Sequence, residues 1–377
     1  MGSPGVATPG QEPTKLRFLG KQEIEDVAIG SAVLGTGGGG DPYLGKLAAL
    51  QTIKEYGPLK LITIDELDPD TLVVFPFGLG APVPFLERIS ILDDIDYAYQ
   101  ALEKFLGKKV GAMMSIEIGG MNSVVPFALA SKLGLPLIDG DGMGRAFPQI
   151  QLVTFTMYGH SASPMAVADE HGNVVVLDTV DNFWMERLAR PLATQFGAIS
   201  GGVGFPMSAG DIAESGVLGT VSFAERIGAA IREAHENHSD PIEALTAVTG
   251  GFAIFQGRII DVQRRVESGW TLGEVTISGI DDCAGRQVTV QFQNENLVVL
   301  EGSEVLVSVP DLITVIDTER GEPITTENLR YGFRVTLLAI PSDPKWRTEA
   351  GLALAGPDHW GYDVKFVPVE DRFGVTV

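Results

Sequence analysis

"KVGAMMSIEIGGMNSVVPFALASKLGLPLIDGDG", Lys109 to Gly142, is the stretch on which the fold turns. "KVGAMMSIEIGG" reads as a buried strand whose end carries Glu117. "NSVVPFALASKLG" predicts a helix from Asn122 to Leu133, and "LPLIDGDG" predicts a second short buried strand that ends in Asp139 and Asp141. Strand, helix and strand at this length make a crossover unit, which requires the two strands to be parallel. Open parallel sheets bind ligands beyond the carboxyl ends of their strands. Glu117, Asp139 and Asp141 are therefore expected to emerge at one edge.

Upstream, Ile24, Val27, Ala28, Ser31 and Leu34 recur at helical steps from Lys21 to Leu34, and that helix should end at the glycine loop "LGTGGGGDPY", Leu34 to Tyr43. A second helix is expected after the loop, with Asp41 as N-cap, Pro42 as its first residue and Gly57 as its stop. "KLITI" at 60–64 and "TLVVFPFG" at 71–78 read as strands, and 95–106 reads as a helix. Beyond roughly Trp184 the pattern changes. Helical segments at 222–235 and 241–249 precede a long β-rich region in which Val288, Val290 and Phe292 alternate with polar residues. The expected architecture is an α/β N-terminal domain with a largely parallel sheet over 16–185 and a mostly β C-terminal domain over 186–377. Residues 1–15, "MGSPGVATPGQEPTK", read as a flexible tail.

The chain has 377 residues, 45% of them hydrophobic, which is enough for two cores, and no apolar run approaches the roughly 20 residues that span a bilayer. A formal net charge of -22 argues against nucleic acid or anionic lipid as a partner, because a phosphate-binding surface needs a positive field. The single cysteine, Cys283, excludes an internal disulfide and fits a reducing cytoplasm, the expected location. Beside Asp281 and Asp282 it is a poor nucleophile.

The glycines Gly37, Gly38, Gly39 and Gly40 let a ligand approach backbone N–H groups, with Asp41 and the next helix behind them. A phosphate cradle fits poorly, since the loop follows a helix rather than a strand and no Lys-Ser/Thr pair follows. A binding loop for a non-nucleotide ligand and an ordinary helix cap with a turn both remain open. Glu117, before Gly119 and Gly120, can act as a general base, hold a cation or cap the helix that starts at Asn122. Asp139 and Asp141 flank Gly140 and in extended chain point the same way, so the pair can share a proton or bind a metal, with Arg145 neutralising it or anchoring a substrate carboxylate. His160, in "MYGHSAS", is the histidine retained as a ligand or proton carrier; the five histidines show no metalloprotease spacing.

Taken together, "GSAVLGTGGGGDPYLG", "EIGGMNS", "DGDGMGRAFPQIQ", "FQNENLV", "PDLITVID", "LRYGFRV" and "GPDHWGYDVKFVPVE" resemble, in this order and over nearly the whole chain from Leu16, the S-methyl thiohydantoin desulfurase-like family. The resemblance implies cyclic amide or thioamide chemistry, since such proteins are often encoded beside hydantoinase and oxoprolinase subunits. It implies a hydrolase that replaces the methylthio group of an S-methylated thiohydantoin by oxygen. In that reaction Asp141, Glu117 and Asp139 supply the candidate catalytic carboxylates, and Gly37 to Asp41, Asn122 and Arg145 the substrate contacts. A divalent metal is an open option; no nucleotide is expected. The expected partner is a small heterocyclic substrate, with a homo-oligomer or a hydantoinase-type subunit as a protein partner. The rival readings are a nucleotide-binding subunit and a non-catalytic member of a hydantoinase or oxoprolinase-type assembly.

Overall fold

The helix read from Lys21 to Leu34 forms over those residues and buries Ile24, Val27, Ala28, Ser31 and Leu34 in the computed structural model, which describes residues 17–80, 92–267 and 270–374. The tail expected at 1–15 lies outside the described residues. This helix packs on the helix Thr220–Glu236 at a crossing made by two glycines. A Cβ on Gly30 would sit 1.8 Å from Ala224 O, and one on Gly228 1.9 Å from Asp26 O, so any larger residue would force the helices apart. Arg232 closes the crossing through Nη2 to Asp26 Oδ2 at 3.0 Å.

The first sheet contains β1 (Arg17–Leu19), β2 (Leu59–Ile62), β3 (Leu72–Gly80), β4 (Ala112–Met113), β5 (Leu137–Ile138), β7 (Met165–Ala168), β8 (Val174–Leu177) and β9 (Ile199–Ser208). Their order is β1-β2-β5-β4-β3-β9-β7-β8. The central pairs β2/β5, β5/β4 and β4/β3 are parallel, as the crossover requires, and antiparallel strands extend the sheet on both sides. Alternation along β3 divides the interior: Val74 joins the core under the helix pair, while Val73 and Phe75 join a second core on the opposite face. A small ladder, β6 (Gly140–Asp141) with β10 (Val217–Leu218), lies at the end of the crossover.

The remaining strands are β11 (Phe252–Glu267), β12 (Trp270–Gly279), β13 (Gln287–Gln293), β14 (Glu295–Glu301), β15 (Glu304–Ser308), β16 (Leu312–Asp317) and β17 (Arg334–Ile340). They form one antiparallel sheet in the order β15-β14-β13-β12-β11-β17-β16. Val288, Val290 and Phe292 bury one face of β13, as the alternation predicts. The expected α/β architecture followed by a mostly β region is thus the architecture observed.

Three local readings change. The strand read over "KVGAMMSIEIGG" is paired only at Ala112–Met113, because the chain then leaves the sheet and Gly142 N–H bonds Ile116 O at 3.0 Å. The helix read from Asn122 opens as a 3-10 turn over Gly120–Ser123, and its α-helical part is Val125–Leu133, with Pro126 in the first turn. The helix after the glycine loop is Tyr43–Tyr56, and Asp41 Oδ1 accepts the Tyr43 N–H at 2.9 Å.

Candidate active site

Where β4 stops short, the loops after it and the glycine loop meet turns of the antiparallel sheet around a cavity of about 110 Å³. The glycine loop and the loops after β4 contribute Gly38 to Asp41, Glu117, Asn122 and Met143 to its lining; the antiparallel sheet and its connections contribute Thr271, Asn294, Glu295, Thr326 and Glu327. Phe77, Leu79, Phe147 and Phe205 supply apolar wall, and Arg190 is the cationic side chain among the lining residues.

The glycine loop serves packing first. Thr36, Gly37, Gly39 and Gly40 have φ of 50, 85, 71 and 75°, the left-handed region in which glycine carries no Cβ penalty. In that conformation Thr36 O accepts the Asn296 N–H at 2.7 Å, Gly37 O the Thr326 N–H at 2.8 Å and Gly39 O the Met121 N–H at 2.9 Å. A Cβ on Gly38 would lie 2.2 Å from Glu295 Oε1, and one on Gly120 2.4 Å from the Gly39 backbone. The Gly38 N–H bonds Gly35 O at 2.8 Å and the Gly39 N–H bonds Glu295 Oε1 at 3.2 Å. Two of the N–H groups that a phosphate cradle would use are therefore engaged inside the protein.

Two carboxyl groups reach the cavity almost fully buried: Glu117 is 6% exposed and Glu295 1%. Glu117 Oε1 accepts from Asn122 Nδ2 at 2.7 Å; its Oε2 makes no hydrogen bond of ordinary geometry, the Phe147 N–H acting on the carboxyl only weakly. Burial first, then the charges of Glu295 and Asp141, push the Glu117 carboxyl well above the usual carboxylate range, against the pull of the Asn122 amide and the Phe147 N–H. Glu295 also has an unpartnered Oε2; burial raises it to about 8, with Arg145 and the Gly39 N–H pulling it down. Burial likewise raises Glu327, and the Asp41 charge adds to the shift.

The other expected site residues take different places. Asp141 is fully buried and is not among the cavity-lining residues, with Oδ2 accepting from the N–H groups of Ile118 at 2.8 Å, Met143 at 3.0 Å and Gly144 at 2.8 Å. Burial still raises it to about 7, those three donors notwithstanding. Asp139 accepts from Ser222 N–H at 3.0 Å and from Ser222 Oγ, capping the helix Thr220–Glu236 from another part of the chain. It is not among the cavity-lining residues, so Asp139 and Asp141 do not form a shared-proton pair at the cavity. Arg145 is also fully buried and spends its donors on Pro310 O at 2.5 Å, Asp311 O at 3.2 Å, Ala146 O at 3.0 Å and Thr36 Oγ1 at 3.2 Å, over the Phe147 ring at 4.1 Å. Gly37 packs against Asn296 behind the loop, and His160 and Cys283 are not among the lining residues either.

The three glycine-containing clusters thus converge, but the second carboxyl at the cavity, Glu295, comes from a motif to which the sequence reading gave no site role. Its signal was present in "FQNENLV", where Asn294 stands between two strand-like runs and takes a φ of 58°, turning β13 directly into β14 and projecting Glu295. Among the described residues no three His, Cys, Asp or Glu side chains converge as metal ligands, and no helix is long and apolar enough to cross a membrane.

A model of the S-Me-THD-like N-terminal domain matches residues 22–179, and a model of the S-Me-THD-like C-terminal domain matches residues 180–369. An X-ray crystal structure of a protein from Chromobacterium violaceum is similar at 23% identity with a TM-score of 0.79, over 93% of this chain and 99% of that one. At that identity the likeness concerns the fold alone. No curated protein matches the chain.

Proposed function

The chain belongs to the S-Me-THD-like family, and from that premise we propose that it is a hydrolase that removes the methylthio group of an S-methylated thiohydantoin, leaving a hydantoin. One observation carries the reading: Glu117 and Glu295, each with an oxygen free of protein partners, line the same small cavity. Water attack at ring C2 needs a base for the water and an acid for the departing thiolate. Two carboxyls whose environments separate their proton affinities supply both roles.

Glu295 is the base. The Arg145 charge and the Gly39 N–H favour its ionised form, whereas no cation acts on Glu117, so the base role falls to Glu295 and the acid role to Glu117. Glu295 takes a proton from water, the water oxygen bonds ring C2, the C–S bond breaks, and Glu117 passes its proton to the leaving methanethiolate. The hydroxy-imine left behind relaxes to the ring C=O and N–H, so the products are hydantoin and methanethiol. Phe77, Leu79, Phe147 and Phe205 offer an apolar lining suited to a flat ring. Asp141 and Arg145 support the loops rather than touch substrate, and engagement of the Gly38 and Gly39 N–H groups counts against the nucleotide reading.

Incubation with S-methyl thiohydantoins, thiohydantoins and hydantoins in ¹⁸O-water is the test. The expected result is methanethiol equimolar with a hydantoin carrying ¹⁸O at C2. Ring opening of hydantoins without methanethiol release would replace this reading by cyclic amide hydrolysis.

A further inference from the structure

β4 pairs with β3 only at Val73 and Val74, so the outer half of β3 runs on without a parallel neighbour from β4. At Gly78 that role passes to a side chain. The Gly78 N–H donates to Asn122 Oδ1 at 2.7 Å, and Asn122 Nδ2 donates to Gly78 O at 3.2 Å. The Asn122 amide thus stands where the peptide of a neighbouring strand would stand. The same Nδ2 donates to Glu117 Oε1 at 2.7 Å.

We infer that Asn122 is a positioning residue that leaves Oε2 of Glu117 as the only oxygen on which that carboxyl carries a proton. The backbone fixes the amide's orientation, because an N–H can only donate and a C=O can only accept. Turning the amide over would set NH₂ against the Gly78 N–H and oxygen against both Gly78 O and Glu117 Oε1. Nδ2 therefore always faces Glu117, and Oε1 is always an acceptor. Oε2 makes no hydrogen bond of ordinary geometry, so a proton placed there is not spent on a protein acceptor. Asn122, expected from the sequence to bind substrate, here acts through Glu117 instead. The catalytic consequence rests on the proposed acid role of Glu117; the placement of the proton does not.

Isotope-edited infrared spectroscopy on the full chain labelled with ¹³C-glutamate separates the two. At neutral pH Glu117 and Glu295 should each contribute the carbonyl stretch of a protonated glutamate, and the band assigned to Glu117 is the one lost in Glu117→Gln. In Asn122→Ala the band should persist and move to higher frequency, because the C=O at Oε1 has lost its donor. Asn122→Asp, of nearly the same shape, should also move it if the alanine variant fails to fold. No such band in the wild type, or an unmoved band in the folded variants, overturns the inference. On an S-methyl thiohydantoin, kcat should fall about 10- to 100-fold in Asn122→Ala with KM unchanged, as for loss of an oriented acid. A raised KM with kcat kept would make Asn122 a substrate contact and overturn it too. A wild type that shows the band and its shift but no turnover of these substrates would sink the proposed reaction and leave the proton placement standing.

Discussion

Gly39 donates its backbone N–H to Glu295 Oε1 at 3.2 Å across 256 residues of sequence. This contact ties the glycine loop to the antiparallel sheet and sets the candidate base against bare backbone. The absence of a side chain at Gly38 is what lets the two approach.

Gly38→Ala tests that approach. Gly38 does not need a left-handed backbone, but its Cβ would meet Glu295 Oε1, Cδ and Cγ at 2.2, 2.5 and 2.6 Å. The substitution should displace the Glu295 side chain and lower kcat by about 10²-fold or more, the scale of losing a general base. A melt within a few degrees of wild type would show that the fold survives. Wild-type turnover in the alanine variant would mean that Glu295 is not needed where it lies.

The pH profile follows from the direction of each shift. Glu295 is raised to about 8 by burial and by Glu327, opposed by Arg145 and the Gly39 N–H, while Glu117 is held well above the usual carboxylate range. The base becomes competent as pH rises through about 8, so kcat/KM should climb there, and the acid then loses its proton at higher pH. Glu295→Gln should remove the rising limb and cost about 10²–10⁴ in rate. A profile flat from about pH 6 to 9 would contradict the pair's assigned roles.

Asp141 should show itself in stability rather than turnover. Its folded-state carboxyl is raised to about 7 from an ordinary 3.8, so the native chain binds the extra proton. The stability linked to that proton is complete below about pH 3.8, declines as pH rises and is gone above about 7. Asp141→Asn keeps an oxygen for the three N–H donors and removes the titration. Thermal melts should match wild type near pH 4 and exceed it by several degrees near pH 8, with kcat within a few-fold. Loss of turnover in a folded Asp141→Asn protein would return it to the list of catalytic candidates.

Arg145→Ala should destabilise the protein rather than weaken substrate binding. It strips the donor from the buried carbonyls of Pro310, Asp311 and Ala146 and uncovers Phe147. Breaking such a buried charged network costs about 3–5 kcal/mol, and at about 2–4 °C per kcal/mol the melt should fall by roughly 10 °C. A normal melt with a raised KM would instead make Arg145 the substrate anchor.

Much of this was legible along the chain. Periodic Ile24, Val27, Ala28, Ser31 and Leu34 specify a helix because only a 3.6-residue repeat buries them together, and Val288, Val290 and Phe292 specify a strand by the same logic at period two. The strand, helix and strand within 109–142 required parallel neighbours because no short turn can reverse them. The sequence by itself therefore determined the fold class, and it brought three glycine clusters to one edge. It did not determine which carboxyls line the cavity. Asp139 and Asp141 look equivalent two residues apart, yet one caps a distant helix and the other is held by three backbone donors. Glu295 is marked in the chain only by the turn at Asn294 before it; its proximity to Glu117, its burial and the Arg145 charge behind it arise only when the two sheets close on each other. Hydrophobic period is a local property that survives in one dimension, whereas the proton affinity of a carboxyl is set by the water removed and the charges gathered around it, and those come from residues far apart in sequence.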